Sequence, residues 1–210
     1  MTARRLMLTA IALLVLVMTD PSPAARSDSD VHAGERSLAG QLLVATPALK
    51  IGVFHQTVIY LLRQDAEGAF GIILNRPLQK RSLGEMMKNF EVQGPKPPER
   101  DITVHYGGPV QRELAMVLHS PEFVQPHTLR IKGGLAAVTS PKAVLRAMAE
   151  GKGPLQTIFT SGYAGWGPGQ LEREIDRGSW VITPADRQLL FDTSYSTMWV
   201  RALKRRVIDL

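Results

Sequence analysis

Residues 160–175 read TSGYAGWGPGQLEREI, and at this stretch the character of the chain changes. Upstream, the strand-like run QTIFTS (156–161) closes a long series of short apolar runs; downstream, helical spacing takes over. Between them Gly162, Gly165, Gly167 and Gly169 crowd around Tyr163, Trp166 and Pro168. Such a density of glycine marks backbone that needs positive φ, at Gly165 or Gly167, or a loop that lets a ligand approach the main chain. The stretch lacks G-x-G-x-x-G spacing and the GK[ST] ending of a phosphate loop, and it holds no Lys or Arg to complete an anion site. A strand before and a helix after still suit an anion, because free amides point out of a helix N-terminus. The favoured reading is structural: a loop joining strand to helix, with Tyr163 and Trp166 packed as anchors.

Working outward, the runs QLLVAT (41–46), TVIYLL (57–62) and FGIILN (70–75) are short, rich in Val, Ile or Leu, and bounded by Gly, Pro, Asp or Asn. These are strand signatures, and DAEG (65–68) predicts a hairpin connection between the second and third. ITVHY (102–106), LAMVLHS (114–120) and LRIKGGLAAVTS (129–140) continue the pattern. SLGEMMKNF (82–90) breaks it: Ser82 and Glu85 stand in capping-box relation, and Leu83, Met86, Met87 and Phe90 recur at helical spacing. The proline-rich QGPKPPER (93–100) reads as a surface loop. Ser140-Pro141 opens a helix that Gly151 stops, and Pro168 and Gly178 bracket another. Thr183-Pro184-Ala185-Asp186 predicts a further helix start, and residues 197–207 a last helix with Met198, Trp199, Ala202 and Leu203 on one face. Strands dominate the first two-thirds and helices the last third, which argues for a single α+β domain over 38–210.

The chain has 210 residues, 44% hydrophobic and 21% charged, with no cysteine, so disulfides and thiol chemistry are excluded. Its start has a different purpose. MTARR is basic, residues 6–18 are apolar apart from one threonine, and Ser22 and Ala24 sit at the −3 and −1 positions of a cleavage site. Residues 1–24 therefore read as a secretory signal peptide and 25–37 as a flexible leader, giving a periplasmic or secreted protein. The apolar run is shorter than the ~20 residues of a stable span, so no membrane anchor is expected in the mature chain. The competing reading is a mis-called start and a cytoplasmic protein.

Candidate chemistry is sparse. Ser161 is not in a G-x-S-x-G elbow, and His32, His55, His105, His119 and His127 form neither H-x₃-H nor H-E-x-x-H, so no catalytic set, metal site or cofactor is expected. His105 and His119 both lie in strand-like runs and would meet across a sheet or sit buried with hydrogen bonds. In LNRPL (74–78) and HYGGPV (105–110), Asn75 and Arg76 would brace a turn or contact an anion, and Gly107 and Gly108 free the backbone. The candidate ligand-binding residues are thus Asn75, Arg76, His105, Gly107, Gly108, Tyr163, Gly165 and Trp166, for a small anionic ligand or a protein partner. The net charge of +6 gathers late, at Arg201, Lys204, Arg205 and Arg206, which reads first as a solvated helix face. Specific nucleic-acid binding is not expected.

Taken in order, SLAGQLLVATP (37–47), TVIYLL, GAFGIILNRPL (68–78), VHYGGPV (104–110), VLHS (117–120), GYAGWGPGQLEREI (162–175), WVITPA (180–185) and LLFDT (189–193) followed by Met198-Trp199 resemble the YqgE/AlgH family of bacterial proteins. The resemblance covers about residues 37–203. It implies a compact α+β fold whose mixed sheet is bifurcated or barrel-like and flanked by helices. It carries over no catalytic residue, so the expected role is a non-enzymatic binding or accessory protein. A cytoplasmic regulator is the alternative and an unrecognised hydrolase the third reading. The leader departs from the family pattern and sets export against a role at the chromosome.

Overall fold

The apolar runs flanking the glycine stretch become strands of one sheet. In the computed structural model, which describes residues 37–205, the elements follow in chain order. They are β1 (Gln41–Ala45), β2 (Val58–Asp65), β3 (Gly68–Ile73), β4 (Pro77–Ser82), α1 (Leu83–Asn89), β5 (Asp101–Tyr106), β6 (Val110–His119), β7 (Leu129–Arg130) and β8 (Ala137–Thr139). Then come α2 (Pro141–Ala149), β9 (Thr157–Trp166), α3 (Gln170–Asp176), β10 (Trp180–Pro184), α4 (Arg187–Leu190) and α5 (Tyr195–Lys204). The expected signal peptide, the expected leader as far as residue 36, and Arg206 of the basic cluster lie outside the described residues.

The strand order is β10-β1-β2-β3-β9-β6-β8-β7, and the antiparallel β4–β5 pair joins at β9 through β5. β9 is where the sheet forks. Its first half runs parallel to β5, with Phe159, Thr160 and Ser161 opposite Val104, His105 and Tyr106. Its second half runs antiparallel to β3, with Ala164, Gly165 and Trp166 opposite Gly71, Phe70 and Ala69. β6 takes the other edge. The sheet is bifurcated, as the resemblance implied.

The central strands are buried on both faces, which is why β1 and β2 read as continuous apolar runs rather than alternating ones. Leu42, Val44, Val58, Tyr60, Ile72 and Leu74 pack with Leu189 and Leu190 of α4 and Met198 and Ala202 of α5. Leu43, Ala45, Ile59, Leu61 and Ile73 form a second cluster with Trp166, Trp180 and Leu171 of α3. A third joins α1 and α2 (Leu83, Met86, Val144, Leu145) to Phe159 and Val117.

The local signals act largely as expected. The Ser82 hydroxyl accepts from the Glu85 amide at 3.2 Å, and the Glu85 carboxylate accepts from the Ser82 amide at 3.0 Å. Pro141 opens α2, and Gly151 follows it at φ +74°. Three expectations are corrected. The supposed loop from Gly162 is strand as far as Trp166, with buried and half-buried residues alternating from Ser161 onward. Thr183-Pro184 does not open the helix but ends β10, which pairs with β1 over its whole length; the helix starts only at Asp186, whose Oδ1 accepts from the Leu189 amide at 2.8 Å. Finally, α5 begins at Tyr195, two residues before the expected Thr197.

Candidate functional site

Because β5 and β6 lie on opposite edges of β9, the chain between them has to pass over it. The crossing is made by glycine. A Cβ on Gly107 would stand 2.2 Å from the Gly162 carbonyl oxygen, and one on Gly108 would stand 2.1 Å from the Tyr163 carbonyl carbon. Gly162 completes the contact at φ +71°, where a Cβ would come within 2.5 Å of the Gly108 oxygen. The Gly107 amide donates to the Ser161 carbonyl at 2.9 Å, and the Gly107 carbonyl accepts from the Ile73 amide at 2.9 Å, tying the crossing to β9 and β3. Positive φ therefore falls at Gly162 and Gly169, and not at Gly165 or Gly167.

The crossing shapes what lies beyond it. β6 pairs Val110 with Tyr163 and resumes only with Ala115 opposite Ser161, so the residues between bulge outward, with Gln111 at φ +44°. Past Tyr163, β9 keeps its partner β3 and has no strand on the β6 side among the described residues. An open cleft of about 370 Å³ lies here, lined by residues of the β2–β3 turn, by Phe70 and Val110, and by Tyr163, Gly165 and Trp166. Arg63, Phe70 and Gly165 form one cross-strand row. Gly165 has no side chain to fill the hollow, while the rings of Phe70 and Tyr163 meet edge to face with centroids 5.9 Å apart. At the rim Arg63 is ion-paired with Asp65. Glu67 carries a charge with no ion pair among the described residues.

Three of the expected site residues, Tyr163, Gly165 and Trp166, meet in this cleft, and Gly107 and Gly108 hold the crossing behind it. Asn75 and Arg76 brace the β1–β2 connection instead. The Asn75 Oδ1 accepts from the Val58 amide at 3.0 Å and its Nδ2 donates to the Gln56 carbonyl at 2.9 Å. The Arg76 guanidinium donates to the His55 carbonyl, and burial lowers its pKa from the usual arginine value.

The two strand histidines stay apart, flanking β9 opposite Thr160 and Thr157. His105 is 2% exposed, edge-on to Tyr195 at 4.8 Å, and neither ring nitrogen has a hydrogen-bond partner among the described residues. Burial depresses its pKa, with the nearby Phe159 backbone opposing the shift. His119 is satisfied: its Nδ1 donates to the Ser120 carbonyl at 2.9 Å, which leaves Nε2 to accept from the Thr139 hydroxyl at 2.8 Å. Burial depresses it too, against the Ser120 hydrogen bond and the Glu122 charge.

Trp166 combines both roles, lining the cleft while anchoring α3. It is 6% exposed, and its indole N–H donates to Glu174 Oε2 at 2.9 Å. The indole of Trp180 donates to the same oxygen at 2.8 Å, and Phe54 packs against both rings. Arg63, Asp65, Glu67, Phe70 and Val110 escaped the sequence reading. The available signal was RQDAEGAF, where an apolar strand turns polar before its hairpin without losing β pairing. Among the described residues no group of His, Asp or Glu side chains could hold a metal ion, and no helix is long and apolar enough to cross a membrane.

The AlgH-like family model matches residues 42–210. The chain belongs to the AlgH-like family. A UPF0301 protein of Rhodospirillum rubrum is 41% identical over 175 residues, covering 83% of this chain and 90% of the relative. One of Methylococcus capsulatus is 38% identical over 181 residues, covering 86% and 98%. The solution structure of the AlgH protein from Pseudomonas aeruginosa is similar at a TM-score of 0.67 and 33% identity, covering 90% of this chain and 92% of that one. A crystal structure of a Corynebacterium diphtheriae protein shares the fold at a TM-score of 0.62 and 20% identity, covering 93% and 94%. The AlgH-like fold is thus a single α+β domain with a few helices around a sheet curled into a half-barrel. The glycine crossing and the cleft beside it are built on that sheet.

Proposed function

We propose that this AlgH-like protein is a non-enzymatic binding or accessory protein, exported to the periplasm, that takes its ligand in the cleft at the end of β9. The observation that carries the reading is the cleft itself: concave, walled by Phe70 and Tyr163, floored by a glycine, and edged by a few charges. Its volume lies at the lower end of the ~300–1,000 Å³ typical of small-ligand sites. A binding role fits the nearby polar groups better than hydrolysis does. The Ser161 hydroxyl is committed to the Arg112 carbonyl, and both nitrogens of His119 are occupied. The rim charges argue against the small anion expected from the sequence, since Arg63 is already neutralised by Asp65 and Glu67 remains. A neutral or cationic ligand with an apolar body suits the lining better. The basic end offers nucleic acid little, because Arg201 and Arg205 are paired with Asp192 and Asp186.

A thermal-shift screen of metabolites and peptides tests the site, run in parallel on wild type and Gly165→Val. Gly165 does not need positive φ, so valine is compatible with the strand backbone there, and a Cβ meets side chains alone: the edge of the Tyr163 ring at 3.2 Å and the Val110 methyl at 3.7 Å. Hits that stabilise wild type are expected to lose their effect in the variant; hits that stabilise both equally place the site elsewhere. For export, the mass of the mature protein from fractionated cells decides: a start near Ala25 outside the cytoplasmic membrane is expected, and an intact or internally started chain confined to the cytosol overturns it.

A further inference from the structure

Independently of the cleft, we infer that the first turn of α5 is a gate over His105: Tyr195 swings off the imidazole, and the uncovered ring takes a proton from solvent that holds the gate open. His105 is 2% exposed and neither ring nitrogen is hydrogen-bonded among the described residues, so the closed fold gives a proton there nothing to bond. The Tyr195 ring lies against it edge to face, with centroids 4.8 Å apart. That ring belongs to a surface turn: Thr193, Ser194, Ser196 and Thr197 are all exposed, and Tyr195 alone among residues 193–197 is half-buried. The turn is also lightly held. Ser194 makes no side-chain cap bond, and the Thr197 and Met198 amides share its carbonyl; a helix start without a capping side chain frays more readily. The anchors of α5 lie further on, at Met198, at Ala202 and at the Trp199 indole, which donates to the Ala45 carbonyl at 2.7 Å. The first turn can therefore open while the rest of the helix stays in place.

The groups around the ring offer it no free carboxylate. Thr160 of β9 and Pro77 of β4 stand opposite His105, and Arg76 beside Pro77 gives its guanidinium to the His55 carbonyl. On the same face of β5 the acid is Asp101, at the exposed start of the strand and ~13 Å along it. On the helix side Asp192 is ion-paired with Arg201. Tyr195 and Tyr60, which share one apolar cluster, stay neutral phenols, both pushed up by burial and Tyr60 to about 12. Closed, the site refuses the proton, because burial holds the His105 pKa below its usual value; the Phe159 backbone favours the charged ring but does not bond it. Open, the ring titrates near the ordinary ~6.5. The opening equilibrium therefore climbs as pH falls through that value, by up to about tenfold per pH unit, and levels off once pH passes the closed-state pKa.

Hydrogen exchange of the full protein, followed amide by amide by NMR between about pH 7.5 and 5 and corrected for intrinsic rates, tests the gate. The Met198 amide reports the turn, and the Leu74 amide, which donates to the Val58 carbonyl at 2.9 Å in the central sheet, reports global unfolding. At about pH 7 the opening constant at Met198 should exceed that at Leu74 at least about a hundredfold, and it should rise about tenfold between pH ~6.5 and ~5. In His105→Leu the rise at Met198 should vanish. In Tyr195→Ala, which uncovers the ring without touching it, the imidazole proton shifts of His105 should titrate closer to ~6.5 than in wild type. A flat response at Met198, an unchanged rise in His105→Leu, one opening constant shared by Met198 and Leu74, or a His105 titration that Tyr195→Ala leaves where it was overturns the gate.

Discussion

Gly162 and Gly167 belong to the same glycine-rich stretch, yet the physics at the two is opposite. Alanine at 162 must hold φ +71°, which costs roughly 1–2 kcal/mol before any contact is counted, and its Cβ would drive into the Gly108 carbonyl. Alanine at 167 has a Cβ with nothing closer than the Gln170 side chain at 4.0 Å. Denaturant melts should therefore show Gly162→Ala losing well over 2 kcal/mol and Gly167→Ala staying within about ±0.5 kcal/mol. The composition made the glycines conspicuous but could not say which one is strained, because the strain comes from a second strand crossing overhead. Glu174 teaches the same lesson. Its carboxylate accepts from both indoles and from Gln170, and those bonds outweigh the upward push of burial to hold its pKa below the usual carboxylate range. Glu174→Ala leaves two indole donors without their acceptor and should cost about 2–3 kcal/mol. Glu174→Gln, which keeps one oxygen, should cost less. Equal melts of wild type and Glu174→Ala would show that water replaces the carboxylate without loss.

At the scale of elements, capped helices and buried strands were legible and the half-exposed strands were not. The capping box before α1 and the Ser-Pro start of α2 are local chemistry, so a local reading finds them. Thr183-Pro184, the first half of a helix-start pattern, ends β10 instead, because β1 offers it an edge to pair with, and only Asp186 acts as a cap. The last five residues of β9 hid their alternation behind glycine and aromatics, so the strand was read as a loop. On α5 the apolar face, rather than the charge, holds the helix. Met198 is fully buried, while the Arg205 and Asp186 side chains are each close to half exposed. Met198→Ala should cost about 2–5 kcal/mol, whereas Arg205→Ala should cost less than about 1 kcal/mol. Comparable losses for the two in urea melts would mean the helix is held by its ion pairs rather than its apolar face.

For the molecule as a whole, two buried histidines set the pH response. His105 and His119 both have pKa values depressed by burial, so the folded protein keeps them neutral while the unfolded chain titrates near 6.5. Above that pH neither state binds the proton and stability is level. As pH falls below it, the unfolded chain takes up protons that the fold refuses, and each histidine removes up to about 1.4 kcal/mol per pH unit until its folded pKa is passed. Urea midpoints between pH 7.5 and 5 should decline accordingly. His105→Leu should flatten the decline with little loss at pH 7.5, since the ring nitrogens it removes have no hydrogen bonds to lose. An unchanged slope in that variant would assign the response to other groups. The cleft emerges only at this scale, because it needs the β2–β3 hairpin, the glycine crossing and the end of β9 together. Its central place in the account is best tested by amide chemical-shift mapping with the strongest ligand from the screen. Shifts concentrated at residues 63–70, Val110 and 163–166, and abolished by Gly165→Val, are the predicted result. Shifts clustered elsewhere, with binding intact in that variant, would contradict it.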